Sequence, residues 1–344
     1  MKIVLASTFV PFINGGARFI VEWLEQKLIE HGHQVERFYL PFIETPDEML
    51  NQAAAFRLMK LSDSCDRLIA FRPPAYVIDH PAKVLWFIHH IRAYYDLWGG
   101  PHGVADTVKN RAVRKALIEM DNRAIGEARK VFTNSQIVAD RLQRFNGVSA
   151  TPLYPPVFEP ERFRNDGYGD EIVVVCRVEP HKRQALLIEA MKHVRTPVRL
   201  RLCGTASHPD YGAEIRRQVA ASTASSRIAF EDAWISEDEK VERLAPALAV
   251  AYLPHDEDSY GYPSLEGAHS GKCVLTTTDS GGVLELVEDG RNGLVTSPDP
   301  VALAGAMDRL YRDKALAERM GAANLARLSE LKIDWAHVVE ALTA

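Results

Sequence analysis

No stretch of this 344-residue chain is apolar for long enough to cross a bilayer as a helix. The longest apolar run, Leu244 to Pro254, falls short of the roughly 18 residues a span needs, and Pro246 interrupts it. Cysteine is scarce. Cys65, Cys176, Cys203 and Cys273 lie far apart and form no CxxC pair, which argues against a disulfide framework and predicts reduced core thiols in a cytoplasmic protein. Positive charge is not in surplus either: 41 Lys+Arg against 46 Asp+Glu leave a net charge of -5, which excludes a nucleic-acid binder working through bulk charge. There is no HExxH, no close His/Cys/Asp cluster and no GxGxxG, so neither a metal site nor a dinucleotide fingerprint is supported. No small-residue cleavage site follows the apolar stretch Ile3 to Ile13, which therefore reads as a first buried strand rather than a signal peptide. Internal repeats and low-complexity segments are missing too.

What remains is alternation. Short apolar runs alternate with helix-length amphipathic stretches along the whole chain, the pattern of a parallel sheet covered by helices, so the class is α/β. At about 150 residues per domain the length suggests two domains with a cleft between them. The first series of strands is expected at Lys2 to Ser7, Gln34 to Leu40, Asp66 to Phe71, Lys83 to His89 and Lys130 to Asn134. The second is expected at Glu171 to Cys176, Val198 to Cys203, Arg227 to Phe230, Leu248 to Leu253, Lys272 to Thr276 and Gly293 to Thr296. Between the series, prolines 152, 155 and 156 stiffen an extended segment expected to lie outside both sheets. The boundaries drawn are 1–155, 156–325 and a C-terminal helical segment, 326–344, that packs back on the first domain. Charge divides unevenly, with +3 over residues 1–155 and -8 over 156–344. Lys109 to Lys130 alone carries seven basic residues and three acidic, the pattern of a solvated helix face or of a stripe that meets an anionic membrane.

Four loops after strands hold the candidate chemistry, since ligands of doubly wound sheets sit at the strands' carboxyl ends. Pro11 to Gly16 contains adjacent glycines that suit either an anion nest or a tight turn. His89 and His90 end a strand, and because neighbouring strand residues face opposite ways, at most one is expected to enter a cleft from the strand itself. Arg177 and Lys182 join a fork and a point charge beside a helix start, as a diphosphate requires, though exposed loops carry such charges too. The segment from Asp256 to Gly267 sets Asp258 and Glu266 eight apart, a separation that suits bracketing a polyhydroxyl ligand. Its Asp256-Glu257-Asp258 triplet is also a weak cation signal.

Arg177-x4-Lys182, Asp258-x7-Glu266, Gly281-Gly282-x2-Glu285 and Asp289-Gly-x-Asn-Gly293, with the first-half features, resemble retaining glycosyltransferases of family 4 over nearly the whole chain. The resemblance implies the GT-B fold, two Rossmann-like doubly wound domains facing each other across a cleft, and transfer of a hexose from a nucleotide diphosphate sugar to an acceptor hydroxyl. It implies that Arg177 and Lys182 bind the donor diphosphate, that Glu266 holds the ribose, that Asp258 meets the sugar and that His89 contacts the transferred sugar. Further donor contacts are implied for Gly15, Gly16, Trp234, Ile235, Glu257, Tyr260, Gly261 and Tyr262. No cofactor and no metal are implied, the two cations supplying the charge. Departures from the family pattern are Asp258 in place of glutamate, Pro263 without an N–H, and Cys176 and Arg183 where glycine is common. These departures leave a degenerate, non-catalytic subunit as one alternative, and a GT-B nucleotide-sugar epimerase is the other.

Overall fold

The computed structural model describes residues 1–11, 16–43 and 45–344. They form two units, Met1–Pro155 with Ile333–Ala344, and Pro156–Lys332. The terminal segment thus begins at Ile333 instead of residue 326, because residues 326–330 complete the helix Lys314–Glu330 of the second unit.

Unit 1 holds β1 (Lys2–Phe9), β2 (Gln34–Pro41), β3 (Arg67–Ala70), β4 (Lys83–Phe87), β5 (Lys130–Thr133) and β6 (Thr151–Pro152), all parallel, in the order β2-β1-β3-β4-β5-β6. Residues Thr151 and Pro152 were expected outside the sheet. They instead form its last strand, where a residue without an N–H is tolerated because nothing pairs on the far side. The helices are α1 (Gly16–Glu30), α2 (Pro46–Leu58), α3 (Val108–Gly126) and α4 (Gln136–Asn146). Ser135 caps α4 by accepting from the Val138 N–H, and Gly147, at φ 67°, ends it. Leu85 and Phe87 share one core with Phe56, Leu68 and Val138, the period-two consequence of a pleated strand buried on both faces.

Unit 2 holds β7 (Glu171–Val175), β8 (Arg199–Cys203), β9 (Ile228–Glu231), β10 (Ala249–Ala251), β11 (Val274–Thr277) and β12 (Gly293–Thr296), also all parallel, in the order β12-β11-β10-β7-β8-β9. Its helices are α5 (Gln184–Met191), α6 (Pro209–Ala221), α7 (Glu237–Leu244), α8 (Tyr262–His269), α9 (Val283–Leu286), α10 (Pro300–Arg312) and α11 (Lys314–Glu330); α12 (Trp335–Thr343) belongs to unit 1. Ile172 and Val174 face the larger core, while Val173 turns to Leu244 and Val250 on the other face. The capping box expected from Ser236 and Glu239 starts α7.

Strand order fixes where a ligand can sit. Unit 2 runs 3-2-1-4-5-6 in its own numbering, and the order reverses between β7 and β10, so the loops that follow those two strands open a crevice at the carboxyl edge. In unit 1 the reversal lies between β1 and β3.

Candidate functional site

The unit 2 crevice is built from the loops after β7, β10 and β11, which are laced together by backbone. The His255 N–H donates to the His181 carbonyl at 2.8 Å, Asp256 N–H to the Asp279 carbonyl at 2.9 Å, and Gly282 N–H to the Glu257 carbonyl at 2.8 Å. Glycine permits the last contact. A Cβ on Gly281 would come 2.4 Å from the Glu257 oxygen, and one on Gly282 2.6 Å from the Ser259 Cα, so these two positions bring the β11 loop onto the loop that bears the carboxylates.

Arg183 does the same work with its side chain. Its backbone is left-handed, at φ 57°, a conformation that glycine adopts freely and arginine does not. Its guanidinium compensates with a bidentate pair to Asp279, both contacts at 2.8 Å, and with bonds to the carbonyls of Leu253 at 2.6 Å and Pro254 at 2.8 Å and to the Thr277 hydroxyl at 2.7 Å. Arg183 is therefore a tether between loops, while its neighbour Lys182 turns inward. The Lys182 ammonium bonds to the Glu257 carboxylate and, at 2.7 Å, to the Tyr252 hydroxyl, and lies 5.0 Å from the centre of the Tyr252 ring. Arg177 is more open, half exposed, and pairs with Glu179 at 2.9 Å. Glu179 also meets His181, at 3.1 Å, and accepts from the Ser207 hydroxyl.

At the other side of the crevice α8 begins at Gly261, φ 68°, against the Tyr252 ring. No side chain caps its N-terminus, and the buried Ser264 hydroxyl in its first turn has no hydrogen-bond partner among the described residues. Pro263 has no N–H and the Ser264 and Leu265 N–H groups turn back to the Gly261 carbonyl, at 3.2 and 3.4 Å, so it is the unsatisfied Ser264 hydroxyl, at the positive end of the helix, that suits an anion. Glu266, also on α8, is buried and bonded to Lys240 at 2.7 Å. Burial raises its carboxyl above the ordinary range, against the opposing charge of Lys240.

The other expected residues are distributed as follows. Asp258 lies partly buried on the same loop as Glu257, and Tyr262 opens α8. The Tyr260 side chain is buried, so that position can offer a ligand only its backbone. Trp234 is 70% exposed beside the half-buried Ile235. Glu257 is committed to Lys182. Gly15 lies outside the described residues, and Gly16 is the first residue of α1. In unit 1, His90 is buried against the rings of Phe87, Tyr95 and Phe145, and bonded to Asn146 at 2.8 Å. Burial pushes its imidazole down to about 4. His89 is the half-buried member of the pair, and its Nδ1 meets the His90 carbonyl at 2.7 Å.

The basic segment from Lys109 to Lys130 spends much of its charge locally. Arg111 pairs with Asp106 at 2.9 Å, Arg123 with Glu127 at 3.3 Å, and Arg114 donates to the Tyr94 carbonyl at 2.8 Å while lying over Trp98. No helix among the described residues is long and apolar enough to cross a membrane.

Sequence reasoning missed Tyr252, Lys240, Asp279 and Ser264. Tyr252 was hidden inside an expected strand, Leu248 to Leu253, that stops at Ala251.

Residues 169–313 match the family described as Glycosyl transferases group 1. Over that segment the chain is similar to the group 1 glycosyltransferases. The chain is 24% identical over 293 residues to human alpha-1,3/1,6-mannosyltransferase ALG2, covering 77% of this chain and 68% of that one. It is 25% identical over 290 residues to alpha-maltose-1-phosphate synthase of Mycolicibacterium smegmatis, covering 76% and 73%. Its GT-B fold is similar to that of Anabaena HepE, crystallised with UDP, at a TM-score of 0.75 and 19% identity over 100% of this chain and 98% of that one. Sucrose-phosphate synthase from Thermosynechococcus elongatus matches with a TM-score of 0.75 and 18% identity over 99% and 97%.

Proposed function

We propose that this protein moves a hexose from a nucleoside diphosphate sugar to an acceptor hydroxyl with retention at the anomeric carbon, and that unit 2 holds the donor. The observation that carries the reading is the lining of the unit 2 switch point, where Lys182 and Arg177 stand on one loop and the uncapped α8, with its orphaned Ser264 hydroxyl, begins beyond the next. HepE crystals with UDP and with UDP-glucose, and relatives named for mannosyl transfer and maltose-1-phosphate synthesis, support a sugar nucleotide as the partner.

In this reading the departing diphosphate gathers negative charge as the glycosidic bond lengthens, and Lys182 and Arg177 bind that charge more strongly than they bind the intact donor. No metal is needed, because the two side chains supply the positive charge. Glu266 holds the ribose hydroxyls, with Lys240 offsetting the cost of burying its charge. Trp234 and Ile235 flank the base, Asp258 takes the sugar hydroxyls, and His89 contributes from unit 1 to the transferred sugar. No covalent nucleophile takes part: the acceptor oxygen bonds to the anomeric carbon on the face the diphosphate leaves, as the bond to the diphosphate breaks, and the acceptor's hydroxyl proton passes to the departing diphosphate oxygen.

The test is to incubate the chain with UDP-glucose, GDP-mannose and ADP-glucose, with and without EDTA, and to follow release of the free diphosphate. NMR of the product's anomeric proton then reads the stereochemistry. Release that survives EDTA and an α product from an α donor are expected. No release and no thermal shift with any of these donors or their diphosphates would sink the reading, and an inverted product would remove retention from it.

A further inference from the structure

Lys182 carries its own counter-ion. Its ammonium is bonded to the Glu257 carboxylate and to the Tyr252 oxygen, and the Tyr252 hydroxyl donates onward to Glu257 Oε2 at 2.9 Å. Two of the three members of this arrangement are held in place by the fold. The Glu257 backbone is gripped by the Gly282 N–H and by the close approach of Gly281, and the Tyr252 ring is 3% exposed beneath Gly261. The Lys182 side chain is 10% exposed and that of Glu257 25%. Burial works to raise the Glu257 carboxyl, yet Lys182 overrides it and holds the group below its ordinary value, so Glu257 stays an anion at neutral pH. A fixed anion on the cation that is to receive a diphosphate lowers affinity. Its use must lie elsewhere.

The useful quantity is a difference in charge. In a sugar nucleotide each phosphate carries one negative charge. Once the sugar has left, the terminal phosphate acquires a second, with a pKa of about 6. If Lys182 receives the terminal phosphate, that extra charge falls beside Glu257 as well, because the two side chains are in contact. We propose that Glu257, held by Tyr252, sets the charge this site accepts, disfavouring the free nucleoside diphosphate relative to the sugar donor and so speeding its release after transfer. The inference rests on the donor reading above. Like-charge repulsion between Glu257 and the second phosphate charge, in a partly buried site of reduced dielectric, is worth about tenfold in the ratio of the two affinities.

The charged and titratable groups facing Glu257 are Lys182, His181, Arg177 and Cys176 from the β7 side and Tyr252 from the end of β10, with Asp256 and Asp258 beside it. His181, lowered by burial and paired with Glu179, is the histidine that faces Glu257, so a His181→Asn background serves as the control.

The experiment measures dissociation constants by calorimetry on the full chain, without divalent cations, for UDP with UDP-glucose, GDP with GDP-mannose and ADP with ADP-glucose. For whichever pair binds, Glu257→Gln is expected to shift the ratio about tenfold toward the free diphosphate at pH 7.5. At pH 5.5, where the terminal phosphate keeps its second proton, the shift is expected to shrink to about threefold or less. Glu257→Asp retains the charge and should retain the ratio. Tyr252→Phe, which frees the carboxylate without removing it, should shift the ratio about threefold, and it carries the test if Glu257→Gln does not fold. In turnover, inhibition by the free diphosphate should tighten in Glu257→Gln by the same factor as its binding. Binding with a ratio unchanged by either substitution, or a shift equal at both pH values, overturns the role of Glu257 and leaves the donor reading standing. Binding of none of the six probes overturns both.

Discussion

The two units share an architecture and even a device at the amino-terminal ends of their strands, yet they part company at the carboxyl ends. Each buries one lysine completely: Lys83 opens β4 in unit 1, and Lys272 stands just before β11 in unit 2. Lys83 donates to the carbonyls of Tyr76 and Ile78 and to Glu127, and Lys272 donates to Asn165 and the Gly167 carbonyl while lying 4.4 Å from the Tyr168 ring centre. Both lysines tie a preceding segment to the sheet. At the carboxyl ends, unit 2 gathers acid–base pairs, Lys182 with Glu257, Arg177 with Glu179 and Arg183 with Asp279. Unit 1 surrounds the end of β4 with aromatic rings and hydroxyls: His90 lies in an aromatic box, and the nearby Asp121 carboxyl, bonded to the hydroxyls of Tyr76 and Tyr95, is pushed up by burial to about 6. One scaffold can thus present paired charges in one copy and an aromatic, hydroxyl-rich lining in the other, because the sheet fixes only where the loops emerge.

The largest effect should come from breaking the charged half. Lys182→Ala removes a mostly buried cation and strands Glu257, so kcat/KM for the sugar donor should fall at least about 100-fold, equivalent to roughly 3 kcal/mol. Arg177→Ala, at a half-exposed site, should cost about tenfold. Kinetics of both variants on one donor check the order, and an equal loss would contradict the difference in burial.

In unit 1 the adjacent histidines should separate function from stability. His89→Ala is expected to lower turnover by more than tenfold with little change in melting temperature. His90→Ala empties a packed aromatic box and should cost about 2 to 3 kcal/mol of unfolding free energy, with a smaller effect on turnover of the folded fraction. Urea unfolding and kcat on the two variants read these apart.

Acid should sharpen the contrast within unit 1. His90 titrates near 4 when folded and near 6.5 when unfolded, so between those values the unfolded chain binds the extra proton and stability is lost as pH falls from 6.5 to 4. Asp121, raised from 3.8 to about 6, works the other way: the folded chain takes the proton first, and stability is gained as pH falls from 6 to 3.8. The stability advantage of wild type over His90→Leu should therefore shrink on acidification, by up to about 3 kcal/mol, while its advantage over Asp121→Asn should grow by a similar amount. Parallel slopes in chemical denaturation across pH would show that the two groups are not held as described.

The sequence made the strands legible because parallel strands buried on both faces read as unbroken apolar runs, as Ile172 to Val175 do. Strand order was not legible, since the same periodicity serves any neighbour. Lys182 and Glu266 stood out through spacing, whereas their partners Tyr252 and Lys240 did not: Tyr252 ends an apolar run, and Lys240 lies among the charges of α7 that any exposed helix carries. A triplet of carboxylates gives no direction to any of its side chains, so only the structure commits Glu257 to Lys182. Arg183 read as the loss of a glycine, and the fold explains how the loss is met, by a guanidinium whose bonds hold the left-handed turn in place. Pro152 misled because a missing N–H excludes central strands but leaves an edge strand open.

The smallest effect compares two serines in the same role. Ser135 caps α4 in unit 1 and is fully buried, whereas Ser236 caps α7 in unit 2 from an exposed position. Each hydroxyl accepts from a backbone N–H three residues on, Val138 and Glu239, both at 3.2 Å. Removing either costs a cap, but the released N–H groups meet different surroundings. At α7 water can replace the oxygen, and the Glu239 side chain still reaches back to the Ser236 backbone at 2.7 Å, so Ser236→Ala should cost only about 0.5 to 1 kcal/mol. At α4 the Val138 N–H would be left buried with no acceptor in reach of water, so Ser135→Ala should cost about 2 kcal/mol. Urea unfolding of the two variants measures the gap. Equal losses would mean that water reaches the start of α4, and that the unit 1 edge is less closed than the burial of Ser135 and Asn134 indicates.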